Sequence, residues 1–112
     1  VSARSQVLLW ATQRVSAAVL ALCVVVHLAT MIYAVRGGLS AAEILDRTRG
    51  SLVWAAFYGL FVVSVTVHAP IGLRTILAET FGWRGAGLNL LAVLVGLVLA
   101  ILGIRAILAV FG

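Results

Sequence analysis

The sequence predicts an all-α membrane protein of three transmembrane helices, with a short interfacial helix between the first and the second, in a single domain over 1–112. Composition decides the class: 64% of the residues are hydrophobic, 10% are charged and the mean hydropathy is +1.24, far from the balance of soluble domains. Charge placement decides the number of spans. Three runs contain no Asp, Glu, Lys or Arg: Val15 to Val35, Gly50 to Leu73 and Gly85 to Ile104. Each reaches the ~20 residues with which a helix crosses a ~30 Å hydrocarbon core. An odd number of spans puts the two chain ends on opposite sides of the bilayer. So little length is left over that a soluble catalytic domain, a nucleotide fold or an iron–sulfur module is not expected, and any chemistry must sit inside the bundle.

The N-terminal segment, Val1 to Arg14, sets Arg4 and Arg14 around Val7, Leu8, Leu9 and Trp10, the pattern of a stretch lying in the membrane interface ahead of the first span. Helix one is expected over about 15–35. Its apolar run is too long for a signal-peptide core and no small-residue cleavage site follows, so it reads as a retained helix. Arg36, Gly37 and Gly38 end it. Ser40-Ala41-Ala42-Glu43 then has the spacing of a capping box and predicts a short surface helix from Ala41 to Arg47.

Helix two is expected over about 52–77. It contains Pro70, whose missing donor should free the Thr66 carbonyl and kink the helix beside His68. Gly82, Gly85 and Gly87, with Trp83 and Arg84, form the second connection. Helix three is expected over about 88–111. On it Ala92, Gly96, Ala100 and Gly103 make a stripe of small residues that lets a neighbour, from this chain or another, pack closely.

All eight basic residues are Arg; against three acids they give a net charge of +5. They are dispersed near helix ends, where anchoring among lipid headgroups accounts for them, and no nucleic-acid partner is expected. Charge bias does not orient the chain, because Arg4, Arg14, Arg74 and Arg84 fall on one side and Arg36, Arg47, Arg49 and Arg105 on the other. Cys23 is the lone cysteine and lies mid-span, which excludes an intrachain disulfide or cluster and suggests a packing role.

No acid falls within a span, so His27 and His68 are the side chains that can carry redox or proton chemistry there. Each has two readings: a neutral histidine hydrogen-bonded across the bundle, or an axial ligand to haem iron. Counted from Arg14 and Arg74 on one membrane side, the two histidines differ in depth by about 10 Å at ~1.5 Å per residue. One iron shared by both is therefore not expected. Two haems, each needing a second ligand from another chain, are the alternative. Ser64, His68 and Gly72 repeat at i+4, so a glycine beside the ligand would leave room for a flat macrocycle. Arg74 lies near the same membrane surface, where it either pairs with a propionate or snorkels.

Two motifs carry a family likeness. Gln13-Arg14-Val15-Ser16-Ala17 resembles the Arg-x-Ser-Gly/Ala signature of the cytochrome b membrane anchors of succinate dehydrogenase and fumarate reductase. His68-Ala69-Pro70-Ile71-Gly72-Leu73-Arg74 resembles that family's His-x-x-x-Gly-x-Arg, with Glu79 where an acid often follows. The resemblance implies His68 as the axial ligand of haem b, Arg14 near the quinone and the haem propionates, and Ser16 as the motif serine. It also implies flavoprotein and iron–sulfur partners, a second anchor subunit or another copy of this chain, and a bacterial inner membrane with the N-terminus cytoplasmic. The histidine in each of the first two helices resembles the two-haem anchors, which would make His27 a second ligand. Gln13, Thr75 and Trp10 depart from the family, standing where a histidine, a histidine and a serine are common. A haem-free structural anchor is the leading rival; a transporter or channel ranks last, since no intramembrane acid marks a pathway.

Overall fold

The computed structural model describes residues 2–112. It contains four helices: α1 Ala3–Arg36, α2 Ala41–Thr48, α3 Leu52–Phe81 and α4 Ala86–Phe111. Three are long and apolar enough to cross a membrane, and α2 is the short connecting helix. The N-terminal segment does not form a separate interfacial stretch: α1 is one helix of 34 residues, begun by Ser2, whose hydroxyl accepts from the Ser5 amide. Val1 lies outside the described residues. The correction has a physical reason. Arg14 ends an apolar run, but arginine is a good helix former, and nothing between Ser2 and Gly37 breaks a helix. For the same reason α3 continues four residues past the expected Leu77, to Phe81, where Gly82 takes φ +65. α4 begins two residues earlier than expected, behind Gly85 at φ +101.

The capping box forms as the spacing required. Ser40 Oγ accepts from the Glu43 amide and Glu43 Oε1 accepts from the Ser40 amide, each at 3.2 Å. At its other end α2 closes onto α4: the Thr48 hydroxyl donates to the Val110 carbonyl at 2.7 Å and the Gly50 amide to the Phe111 carbonyl at 3.0 Å. These donors satisfy carbonyls that a helix C-terminus leaves without intrahelical partners. α2 therefore ties together the end of the bundle where α1 and α4 finish and α3 starts, called the far end below. The N-terminus of α1, the C-terminus of α3 and the N-terminus of α4 form the near end.

α3 is the central helix, packed on one side by α1 and on the other by α4. Its faces explain this. A Cβ built on Gly103 would lie 2.6 Å from Val62 Cγ1, and one on Gly96 would lie 3.2 Å from Pro70 Cγ and 3.7 Å from the Thr66 carbonyl oxygen. Val62, Thr66 and Pro70 thus meet the small stripe of α4, so its close neighbour is in this chain. Ser64, His68 and Gly72, two residues on and so roughly 200° around the helix, face α1. Pro70 lies inside an uninterrupted α3, with its ring and the carbonyl it frees covered by the Gly96 backbone.

Burial is inverted relative to a soluble protein. Among the described residues Leu88 is the one large side chain fully enclosed, while aliphatic residues such as Val25, Val63, Leu90 and Leu102 are exposed along the outer faces. Small and polar groups, Ser16, Cys23, Ser64 and Ala92, take the interior, as expected where lipid is as apolar as leucine and close approach drives helix association.

Gly103→Ala should push α3 and α4 apart and lower stability by about 1–3 kcal/mol, whereas Gly59→Ala, with nothing within 4 Å of the added methyl, should be neutral or raise stability by up to about 1 kcal/mol. Unfolding in detergent measures both. Hydrogen bonding from the Ser40 backbone and side chain, with the nearby Arg47 charge, holds the Glu43 carboxyl below the ordinary carboxylate range. Its folded value being depressed, the stabilisation is present above the unfolded value and is lost as pH falls through the folded one. Hydrogen exchange at the Ser40 amide should therefore accelerate on acidification, and Glu43→Gln should remove that dependence.

Candidate functional site

At the near end, the α1 motif and the α3 motif converge. Gln6, Leu9, Trp10, Gln13 and Arg14 of α1 and Ile71, Arg74, Thr75 and Glu79 of α3 line a cavity of about 510 Å³. Two arginines against one glutamate leave this cavity basic. The Arg14 guanidinium lies 5.4 Å from the Trp10 ring centroid, a cation–π contact that holds the charge at the cavity rim. Arg74 is oriented by α4, its Nε donating to Asn89 Oδ1 at 2.8 Å. Asn89, unremarked in the sequence, is the polar residue in the first turn of a helix that is otherwise apolar until Arg105, and that isolation is the signal that marks it.

One step further into the bundle, Gln13 packs on Gly72: a Cβ at Gly72 would lie 3.0 Å from Gln13 Nε2. The room at Gly72 is therefore taken by a side chain of α1. Gln13 Oε1 is buried without a partner. Ser16, 8% exposed, reaches back to the Gln13 carbonyl at 3.1 Å and across to His68 Nδ1 at 3.3 Å. The half-buried His68 thus has one ring nitrogen engaged by α1. Among the described residues its Nε2 has no hydrogen-bond partner, and it is not enclosed by them. Arg14 and Arg74 thus line the near-end cavity, and Ser16, His68 and Gly72 lie along the adjoining α1–α3 seam.

His27 lies apart from these residues. It stands eleven residues beyond Ser16 on α1, about 16 Å deeper, edge-on to Tyr58 and Phe61 at centroid distances of 5.8 and 5.7 Å. Its Nδ1 is buried and unpartnered. It lies on the walls of two far-half cavities, one of about 570 Å³ roofed by α2 and one of about 380 Å³ bounded by α4. Trp54, Phe57, Tyr58 and Phe61 form a run of aromatic contacts beside it. Their i, i+3, i+4, i+7 spacing on α3 was a readable sign of an aromatic face toward α1.

The family model for the succinate dehydrogenase/fumarate reductase transmembrane subunit matches residues 1–104. The chain belongs to that family. No curated protein and no solved structure matches it. Membership of the succinate dehydrogenase/fumarate reductase anchors and three long apolar helices make the chain an integral membrane anchor.

Among the described residues no group of three or more His, Cys, Asp or Glu is placed to hold a bare metal ion. Haem makes a different demand, because the porphyrin supplies the equatorial ligands and the protein need add only axial ones. The residues of this anchor fit it on one side. A histidine has one nitrogen tied to a buried hydroxyl and the other free at the bundle surface, with two arginines nearby toward the membrane boundary.

Gly72→Ala should be tolerated within about 1 kcal/mol, since the atom it meets ends a flexible side chain. Gly72→Leu should overpack the α1–α3 seam, lowering stability by about 1–3 kcal/mol. Thermal unfolding of the two variants in detergent distinguishes them.

Proposed function

We propose that this chain is a haem-b-binding membrane anchor passing electrons between membrane quinone and the flavoprotein and iron–sulfur subunits of a succinate dehydrogenase/fumarate reductase-type complex. The observation that carries the reading is the unpartnered Nε2 of His68, held by Ser16 beside the basic cavity of Arg14 and Arg74. His68 is the axial ligand in this reading. Arg14 and Arg74 neutralise the propionates, for which a planar guanidinium with several donors is suited. Haem b supplies a one-electron carrier within the membrane. Quinone is the substrate, its headgroup entering the near-end cavity between Trp10, Gln13 and Thr75. The departures from the family motifs line that cavity, so quinone selectivity is where this anchor differs from its relatives.

A second axial ligand comes from a second anchor subunit or another copy of this chain. His27 sits too deep to supply it and belongs, if it ligates, to a second haem in the far half. The N-terminus is cytoplasmic in this reading, in a bacterial inner membrane. The alternative is a haem-free structural anchor, favoured by one observation: Gln13 fills the space at Gly72 that a macrocycle would otherwise use.

A reduced-minus-oxidised spectrum of the complex isolated from membranes separates the two. A b-type band is expected, lost in His68→Ala while membrane insertion persists; full low-spin haem in that variant would sink the assignment. His27→Ala should halve the haem-to-protein ratio if two haems are present, and an unchanged ratio makes His27 structural.

A further inference from the structure

We propose that Ser16 is a positioning residue that selects the tautomer of His68. The Ser16 hydroxyl has one hydrogen and lies within bonding distance of two groups, the Gln13 carbonyl at 3.1 Å and His68 Nδ1 at 3.3 Å. A carbonyl can only accept. Both contacts exist together when Ser16 donates to Gln13 and His68 donates its Nδ1–H to Ser16. The proton then resides on Nδ1, and Nε2 keeps a lone pair directed away from α1.

The nearby hydroxyls of α3 are engaged elsewhere, and among the described residues Ser16 is the one hydrogen-bond partner of His68. Ser64, one turn away on the same face of α3, spends its hydroxyl on the Leu60 carbonyl at 2.8 Å. Thr75 donates to Ile71. A hydroxyl that already donates is also a better acceptor. His27 provides the internal comparison: its Nδ1 is buried without a hydrogen-bond partner, so no hydrogen bond there selects a tautomer.

The inference rests on the reading of His68 as an axial ligand for its functional meaning. A histidine ligand is oriented and made more basic by hydrogen bonding at its other nitrogen, and loss of such a partner typically weakens metal affinity about 10- to 100-fold. Ser16 is then the link by which the first motif governs the ligand in the second.

Two measurements test it. In full-length chain labelled with 15N-histidine and placed in lipid bilayers without haem, solid-state NMR should find His68 protonated on Nδ1. The His27→Phe variant assigns the signals. Ser16→Ala should mix the tautomers, and Ser16→Thr, which keeps the hydroxyl, should restore the single form. In the complex isolated from membranes, Ser16→Ala should weaken haem retention about 10- to 100-fold and raise the midpoint potential, with Ser16→Thr restoring both. A wild-type His68 protonated on Nε2, or an alanine variant with unchanged tautomer, retention and potential, overturns the proposal. A wild-type complex without any b-type band overturns the axial assignment instead, while the NMR result still decides the role of Ser16.

Discussion

Two close approaches on opposite sides of α3 organise this molecule. In lipid, apolar side chains gain little by leaving their surroundings, so helices associate where backbones come near enough for dense contact and for hydrogen bonds to cross. Gly103 and Gly96 bring α4 onto Val62, Thr66 and Pro70; Gly72 brings Gln13 of α1 onto the other face. Because the two sets differ by two residues, α3 is clamped between its neighbours, and its rotation about its own axis is specified. That rotation turns His68 toward Ser16. Rotating α3 by one residue would carry His68 roughly 100° away, beyond reach of the hydroxyl.

The clamp also sorts polar groups by depth. The near end gathers Arg14, Arg74 and Glu79 around one cavity, with Asn89 bonded to Arg74, while the far end is closed by α2 through Thr48 and Gly50. Between these ends Ser64 satisfies its hydroxyl locally on the Leu60 carbonyl, while Thr66 Oγ1 is buried without a partner. His27 lies in the far half among aromatic rings and His68 among the near-end motifs, so the two imidazoles occupy different chemical environments. A depth difference counted along the sequence is thereby matched by distinct partners on each ring.

The legible and illegible parts of this fold divide along a physical line. Charge-free runs marked the spans because transfer of charge into hydrocarbon is costly wherever it occurs. They did not mark the start of α1 or the end of α3, since a helix starts at its cap and stops at a left-handed glycine; Ser2 and Gly82 set those ends. The capping box was readable because both its bonds are local. Stripe and motif residues were readable as candidates, but their pairing was not. That Gly96 meets Pro70, that Gly72 receives Gln13, and that Arg74 is steered by Asn89 are contacts between helices, fixed by rotation and register that no single segment encodes.

An imidazole nitrogen without a partner at membrane depth carries its own implication. Leaving a polar group unsatisfied in an apolar medium costs on the order of 2–7 kcal/mol depending on the reference, a large share of what a small bundle can gain by folding. His68 and His27 both present such a group, yet differently. His27 Nδ1 is orphaned inside the bundle beside the Tyr58 and Phe61 rings. His68 Nε2 is orphaned at the surface, where only lipid or another molecule can reach it. Lipid chains offer no hydrogen bond and no vacant orbital. Of the two nitrogens, the one the chain does not enclose, His68 Nε2, is therefore the one whose cost a group from outside the chain can relieve.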